Sequence, residues 1–163
     1  MTNSKQTTPE EAVVSNLIEK GWHISCAESC TGGMVASMLV NVANASRVLD
    51  VSFVTYAESA KMKYVHVSET TLTTHGVVSE AVAAEMAQGV AKEAGSQVGI
   101  GITGLAGPGG GSKELPVGTV CFGFFVDGAM HTKTMHFPDL TRNEVRQKSA
   151  VFALNTLLFL LNQ

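Results

Sequence analysis

Gly118-Thr-Val-Cys-Phe-Gly-Phe-Phe-Val126, then Asp127-Gly128, then Ala129-Met-His-Thr-Lys-Thr-Met-His-Phe137 is the stretch that decides the fold. Two strand-like runs joined by Asp-Gly are the strongest short-range mark of a β-hairpin, because both turn residues tolerate the positive φ that a two-residue hairpin demands. A hairpin makes antiparallel neighbours. Upstream, each strand-like run is followed by a helical one, and helical crossovers make parallel neighbours. The sheet is therefore expected to be mixed, mainly parallel, with one antiparallel strand forced by the hairpin.

The upstream strands are Trp22-His-Ile-Ser-Cys-Ala27, Val51-Ser-Phe-Val-Thr-Tyr56, read as buried, and Gln97-Val-Gly-Ile-Gly-Ile-Thr103, Gly-rich where another backbone or a ligand approaches closely. Thr8-Pro9-Glu10-Glu11 has the N-cap, first-turn Pro and N3 Glu of a capping box, and the helix it opens stops at Gly21. Further helices are expected over Met34–Val40, Ala57–Lys63, Ser68–Thr74, Ser79–Ala94 and Thr141–Leu161, the last opened by a second capping box, Thr141-x-x-Glu144. Met34, Met38, Met62 and Met86 are expected to fill core. The fold class is α/β: a three-layer α/β/α sandwich on a mixed sheet of about five strands. One domain over 1–163 is expected, with 1–8 as a flexible lead.

Composition bounds the function. At 163 residues, 45% hydrophobic and 15% charged, the chain can bury a core and lies outside the range of disordered sequences. Eleven Lys+Arg, a net charge of −3 and a pI near 5.9 exclude a broad nucleic-acid-binding surface. No apolar run is long enough for a membrane span, and Met1–Pro9 lacks the apolar core of a signal peptide. The expected location is the cytoplasm. Its three cysteines, Cys26, Cys30 and Cys121, are then free thiols. His23, His66, His75, His131 and His136 have no ligand spacing, so no metal and no cofactor is expected.

Four segments could carry chemistry. Ala27-Glu-Ser-Cys-Thr-Gly-Gly33 joins a strand to a helix, where ligands of open α/β sheets gather and helix N-termini favour anions. An ordinary tight turn would read the same way. Thr103-Gly-Leu-Ala-Gly-Pro-Gly-Gly-Gly-Ser112 follows another strand, suits close wrapping of a ligand, and offers the Thr103 hydroxyl; its alternative is a flexible surface loop. Phe53–Lys61 places Tyr56 at a strand end and Lys61 on the next helix, where burial would retune the amine into a general base, unless both simply face solvent. Ser46, just upstream, is a hydroxyl that could lie near them. Arg142 and Arg146, one turn apart at the start of the last helix, suit a phosphate or a solvated face.

Together these motifs resemble the CinA C-terminal domain family, the nicotinamide-nucleotide amidohydrolases. Ala27–Gly33, Phe53-Val-Thr-Tyr56 with Ala60-Lys61, Gly104–Gly111, Pro116-Val-Gly-Thr119 and Arg142-x-x-x-Arg146 carry the likeness from about residue 9 to the C-terminus, in the family's order and spacing. The chain departs from the family's usual pattern at Ser52, at Ala57-Glu-Ser59, at Asp139-Leu-Thr141 and at Asn44-Ala45. The resemblance implies an α/β/α sandwich, a homodimer, and a stand-alone form without the second domain that many members carry. It implies hydrolysis of the carboxamide of nicotinamide mononucleotide, a small-molecule substrate, to nicotinate mononucleotide and ammonia, a salvage step. On this reading Ser46 attacks the carboxamide carbon, Lys61 accepts its proton and Tyr56 relays it to the leaving ammonia. Ser29 and Cys30 are rival nucleophiles. Backbone nests at Ser29, Cys30, Thr31, Gly32 and Gly33 and at Thr103, Gly104 and Gly107, with Arg142, hold phosphate, ribose and the oxyanion. A paralogue that binds nucleotides without turnover is the alternative, against which the presence of Tyr56 and Lys61 speaks.

Overall fold

Residues 7–163 are described by a computed structural model. Helix α1 (Pro9–Lys20) begins at the expected capping box: Thr8 Oγ1 accepts from Glu11 N, and the Glu11 carboxylate accepts from Thr8 N. Of the flexible lead expected over 1–8, residues 1–6 lie outside the described residues, and Thr8 is fixed by that box. Gly21 ends α1 in the left-handed region, and Trp22 N donates to Leu17 O. That bond uses the Trp22 amide to finish the helix, so strand β1 (Ile24–Glu28) starts later than the apolar pattern predicts.

After β1 come α2 (Met34–Val40), a single 3-10 turn (Ala45–Arg47), β2 (Leu49–Val54), α3 (Glu58–Val65), α4 (Glu69–His75), α5 (Glu80–Ala94), β3 (Val98–Gly104), β4 (Thr119–Val126), β5 (Ala129–His136) and α6 (Arg142–Leu161). The sheet order is β2-β1-β3-β4-β5. β2, β1 and β3 are parallel, β4 runs antiparallel between β3 and β5, and the hairpin turns at Asp127-Gly128 with φ of 46° and 91°. The mixed sheet follows the hairpin argument. The expected burial of the second strand does not hold: β2 is an edge strand, with Val51 and Val54 exposed.

Two layers of helix cover the sheet. Val13, Val14 and Leu17 of α1, Val35 and Leu39 of α2, and Val145, Leu154 and Leu157 of α6 join Ile24, Cys26, Ile100 and Phe122 in one core. On the other face Val82, Met86 and Val90 of α5 pack on Ala27 and on Val65 of α3. The central glycines permit this second layer. A Cβ at Gly101 would collide with Ala83 O and one at Gly99 with Ala87 O, so α5 lies directly on the backbone of β3. Met86 is fully buried, and Met34 and Met38 border the first core, but Met62 is exposed on α3, against expectation: its helix turns Lys61 and Val65 inward instead.

Candidate active site

β2 and β3 lie on opposite sides of β1, so the carboxyl ends of β1 and β3 flank a topological switch point, where α/β sheets bind ligands. A cavity of about 210 Å³ opens there, lined by Ser29 and Cys30 after β1, Tyr56 after β2, Lys61 of α3, Thr103 and Gly104 at the end of β3, Leu105 to Gly107 after it, and Arg142 of α6.

Its floor is a hydroxyl against an amine. Lys61 is fully buried, and its Nζ donates to Ser29 Oγ at 3.1 Å, Thr55 O at 2.7 Å and Tyr56 O at 3.2 Å. Burial pushes the Lys61 ammonium below the usual lysine range, against weaker opposing influences from Cys30 and Glu58. The neutral amine keeps two N–H bonds, and the carbonyls of Thr55 and Tyr56 are placed to take them. Its lone pair then faces Ser29 Oγ, as abstraction of the serine proton requires.

The rim is built by Arg142. Its Nη1 donates to Gly107 O at 2.6 Å and its Nη2 to the Tyr56 hydroxyl at 2.8 Å, joining α6, the glycine loop and the loop after β2. Tyr56 is 63% exposed and free to meet a ligand. The glycine loop is packed against its own return segment, Leu115–Thr119. Leu105 N donates to Thr119 O, Gly118 N donates to Leu105 O, and a Cβ at Gly107 would strike Val117. Gly104 and Gly107 line the cavity, but both are glycine because Val117 and Val120 leave no room for a side chain.

Several expected site residues stand elsewhere. Ser46 sits on the 3-10 turn before β2, exposed in a separate surface hollow, whereas Lys61 follows β2. Six strand residues at about 3.3 Å each separate the two ends by roughly 20 Å, so Ser46 cannot meet Lys61. The Thr103 hydroxyl donates to Val77 O, which removes its proton from the cavity. Thr31 is fully buried and, with Gly32 and Gly33, lies outside the cavity lining. Three of the five amides of the nest expected over 29–33 are spent inside the fold: Ser29 N donates to Ile102 O, Gly32 N to Ser29 O and Gly33 N to the Glu28 carboxylate, which also accepts from Val35 N and Ala36 N. Arg146 holds the same turn from α6, donating to Cys30 O at 2.9 Å and Thr31 O at 3.3 Å, so it is no phosphate ligand. Cys30 is buried, and burial pushes its thiol up to about 12, which leaves it a protonated thiol, not a thiolate nucleophile. All three cysteines are free.

Glu28 was missed by the sequence reasoning. The available signal was an acidic residue just ahead of a glycine pair that opens a helix. The larger hollow between α3 and α5, about 660 Å³, pairs no nucleophile with a base; His66, Glu85 and Lys92 line it. Among the described residues, no helix is long and apolar enough to cross a membrane.

The family model of the CinA C-terminal domain matches residues 6–161. The chain is 49% identical over 140 residues to the nicotinamide-nucleotide amidohydrolase PncC of Enterobacter agglomerans, covering 85% of each protein. It is 47% identical over 146 residues to a CinA-like protein of Kosmotoga olearia, with 90% of this chain and 35% of that protein covered. Against that relative, and against a putative competence-damage inducible protein of Clostridium perfringens of which 37% is covered, the chain spans little more than a third of the length. The crystal structure of the competence damage-inducible protein A from Klebsiella pneumoniae superposes with a TM-score of 0.91 at 36% identity, covering 95% of this chain and 96% of that one.

Proposed function

The chain belongs to the CinA C-terminal domain family, and on that premise we propose that it hydrolyses the carboxamide of a nicotinamide nucleotide, with nicotinamide mononucleotide as substrate and nicotinate mononucleotide and ammonia as products. The observation that carries this reading is the buried Lys61 amine bonded to Ser29 Oγ on the floor of a cavity.

Ser29 replaces Ser46 as the nucleophile. Lys61 takes the Ser29 proton as Oγ bonds to the carboxamide carbon, giving a tetrahedral oxyanion. When the C–N bond breaks, the leaving nitrogen takes a proton and departs as ammonia. Tyr56 supplies that proton path: its oxygen accepts from Arg142, so its own O–H remains free to donate. Along this path the proton that Lys61 took from Ser29 reaches the leaving nitrogen, so the amine is neutral again. It then takes a proton from the water that attacks the Ser29 ester and returns it to Ser29 Oγ as the ester C–O bond breaks and the acid product leaves. Arg142, at the cavity mouth, is the cation placed to meet the substrate phosphate.

Ammonia release from nicotinamide mononucleotide by the purified protein tests the reading. Ser29→Ala and Lys61→Ala should each lose at least about 10²-fold in rate, while Ser46→Ala should stay close to wild type. An inactive Ser46→Ala beside an active Ser29→Ala would reverse the assignment. A folded wild-type protein that binds the nucleotide and releases no ammonia would leave a binding module.

A further inference from the structure

Glu28 is a fully buried carboxylate for which the reaction above has no use. Its Oε2 accepts from Gly33 N at 3.0 Å and Val35 N at 3.2 Å, and its Oε1 from Ala36 N at 2.9 Å. These amides open α2, whose first turn has no side-chain cap of its own at Gly33. The backbone of the same residue faces the other way: Glu28 O accepts from Thr55 N at 2.9 Å. Thr55 and Tyr56 supply the two carbonyls that hold Lys61 Nζ. The residue next along the chain is Ser29.

We propose that Glu28 is a positioning residue for the Ser29–Lys61 pair: its side chain pins the turn that presents Ser29 Oγ, and its backbone registers the segment that presents Lys61 Nζ. This rests on the amidohydrolase reading. A carboxylate suits the task because it accepts on both oxygens and donates nothing, so all three inward-facing N–H groups are met by one group. Its negative charge also sits where the partial positive charge of the helix terminus is greatest. Glutamine in the same place keeps the shape but turns an NH2 group against a backbone donor, so at least one of the three bonds is lost. The turn then relaxes and Ser29 Oγ moves off the Lys61 lone pair. A displacement on the order of 1 Å at a reacting atom costs up to about 10²-fold in rate.

The experiment compares wild type and Glu28→Gln in steady-state ammonia release, thermal unfolding and amide hydrogen exchange. Expected for the variant is a kcat lower by about 10- to 10²-fold, a little-changed KM because the rim residues are untouched, and faster exchange confined to the segment 29–36. Glu28→Asp, a charged carboxylate one methylene shorter, should recover part of kcat where Glu28→Gln does not. A folded Glu28→Gln with wild-type kcat overturns the proposal, as does unchanged exchange over 29–36, or a fall in kcat matched by an equal fall in folded fraction. If Glu28→Gln does not fold, Glu28→Asp carries the test, and a wild-type kcat in that variant with faster exchange over 29–36 overturns it equally. Failure of the amidohydrolase reading looks different: the wild type itself is silent.

Discussion

Lys61→Met separates the buried amine from every other titrating group in the protein. Lysine in the unfolded chain titrates near 10.4, while burial holds Lys61 in the folded protein below that value. Between the two pH values the unfolded state binds the extra proton, so stability rises with pH, by up to about 1.4 kcal/mol per pH unit for one proton. Below the folded value the cost of burying the ammonium is present in full and the slope vanishes. Above about 10.4 both states are neutral and the cost is gone. Methionine fills similar volume and does not titrate. It abandons the carbonyls of Thr55 and Tyr56, at about 1–3 kcal/mol for each unmet buried acceptor, and relieves an ammonium desolvation of several kcal/mol. The variant is therefore best placed against wild type at neutral pH and loses ground steadily as pH rises. Urea unfolding at a series of pH values from neutral to about 10.5 reads this as the difference between the two stability curves, in which all other groups cancel. Turnover gives a second reading of the same group. The wild-type rate should climb with pH to a plateau at the folded Lys61 value, because the neutral amine is the base, and Lys61→Met should be slow and flat. Parallel stability curves, or a rate that rises only at or above the ordinary lysine value, would refute the reasoning.

Cys30→Ser should keep most of the turnover, because a thiol pushed up to about 12 is protonated near neutrality and attacks nothing; a dead but folded variant in the same assay would restore Cys30 as a rival to Ser29. The two arginines of α6 should part company. Arg142→Ala should raise KM for the phosphorylated substrate by about 10- to 10²-fold, as loss of a hydrogen bond to a charged group does, with little change in melting temperature. Arg146→Ala, which frees Cys30 O and Thr31 O, should lower the melting temperature and kcat together. The reverse pattern would exchange their roles.

The fold was legible where one local rule sufficed. Asp127-Gly128 between two strands implies an antiparallel neighbour with no knowledge of the rest of the chain, and both capping boxes lie where their sequences put them. The edge position of β2 was hidden. Leu49-Asp-Val-Ser-Phe-Val54 is apolar enough for a central strand, and only pairing of β1 with β3 on its far side leaves β2 outermost. At the site, Lys61, Tyr56, Arg142 and the glycine loop line one cavity. Ser46 fails for a reason no local pattern contains: it is near Lys61 along the chain, but a full strand lies between them. The phosphate nest is cut back because three of its five amides, Ser29 N, Gly32 N and Gly33 N, already have partners inside the fold.

The alternation of β1 ties the last two points together. Side chains of successive strand residues point to opposite faces. Ile24 and Cys26 belong to the core beneath α1, α2 and α6, and Ala27 belongs to the core beneath α5. Carried one step on, the even position 28 faces α2 and the odd position 29 faces α3. Their observed partners agree: Glu28 meets the amides that open α2, and Ser29 meets Lys61 of α3. One face of the strand thus supplies the clamp and the other the hydroxyl. Two neighbouring polar residues at a buried strand end are then no redundancy. A carboxylate at position 29 would oppose Lys61 as an ion pair and hold its proton, and a serine at position 28 is too short to reach three amides. On the proposed reading it is the order Glu-Ser, not the composition of the motif, that sets a base against a nucleophile.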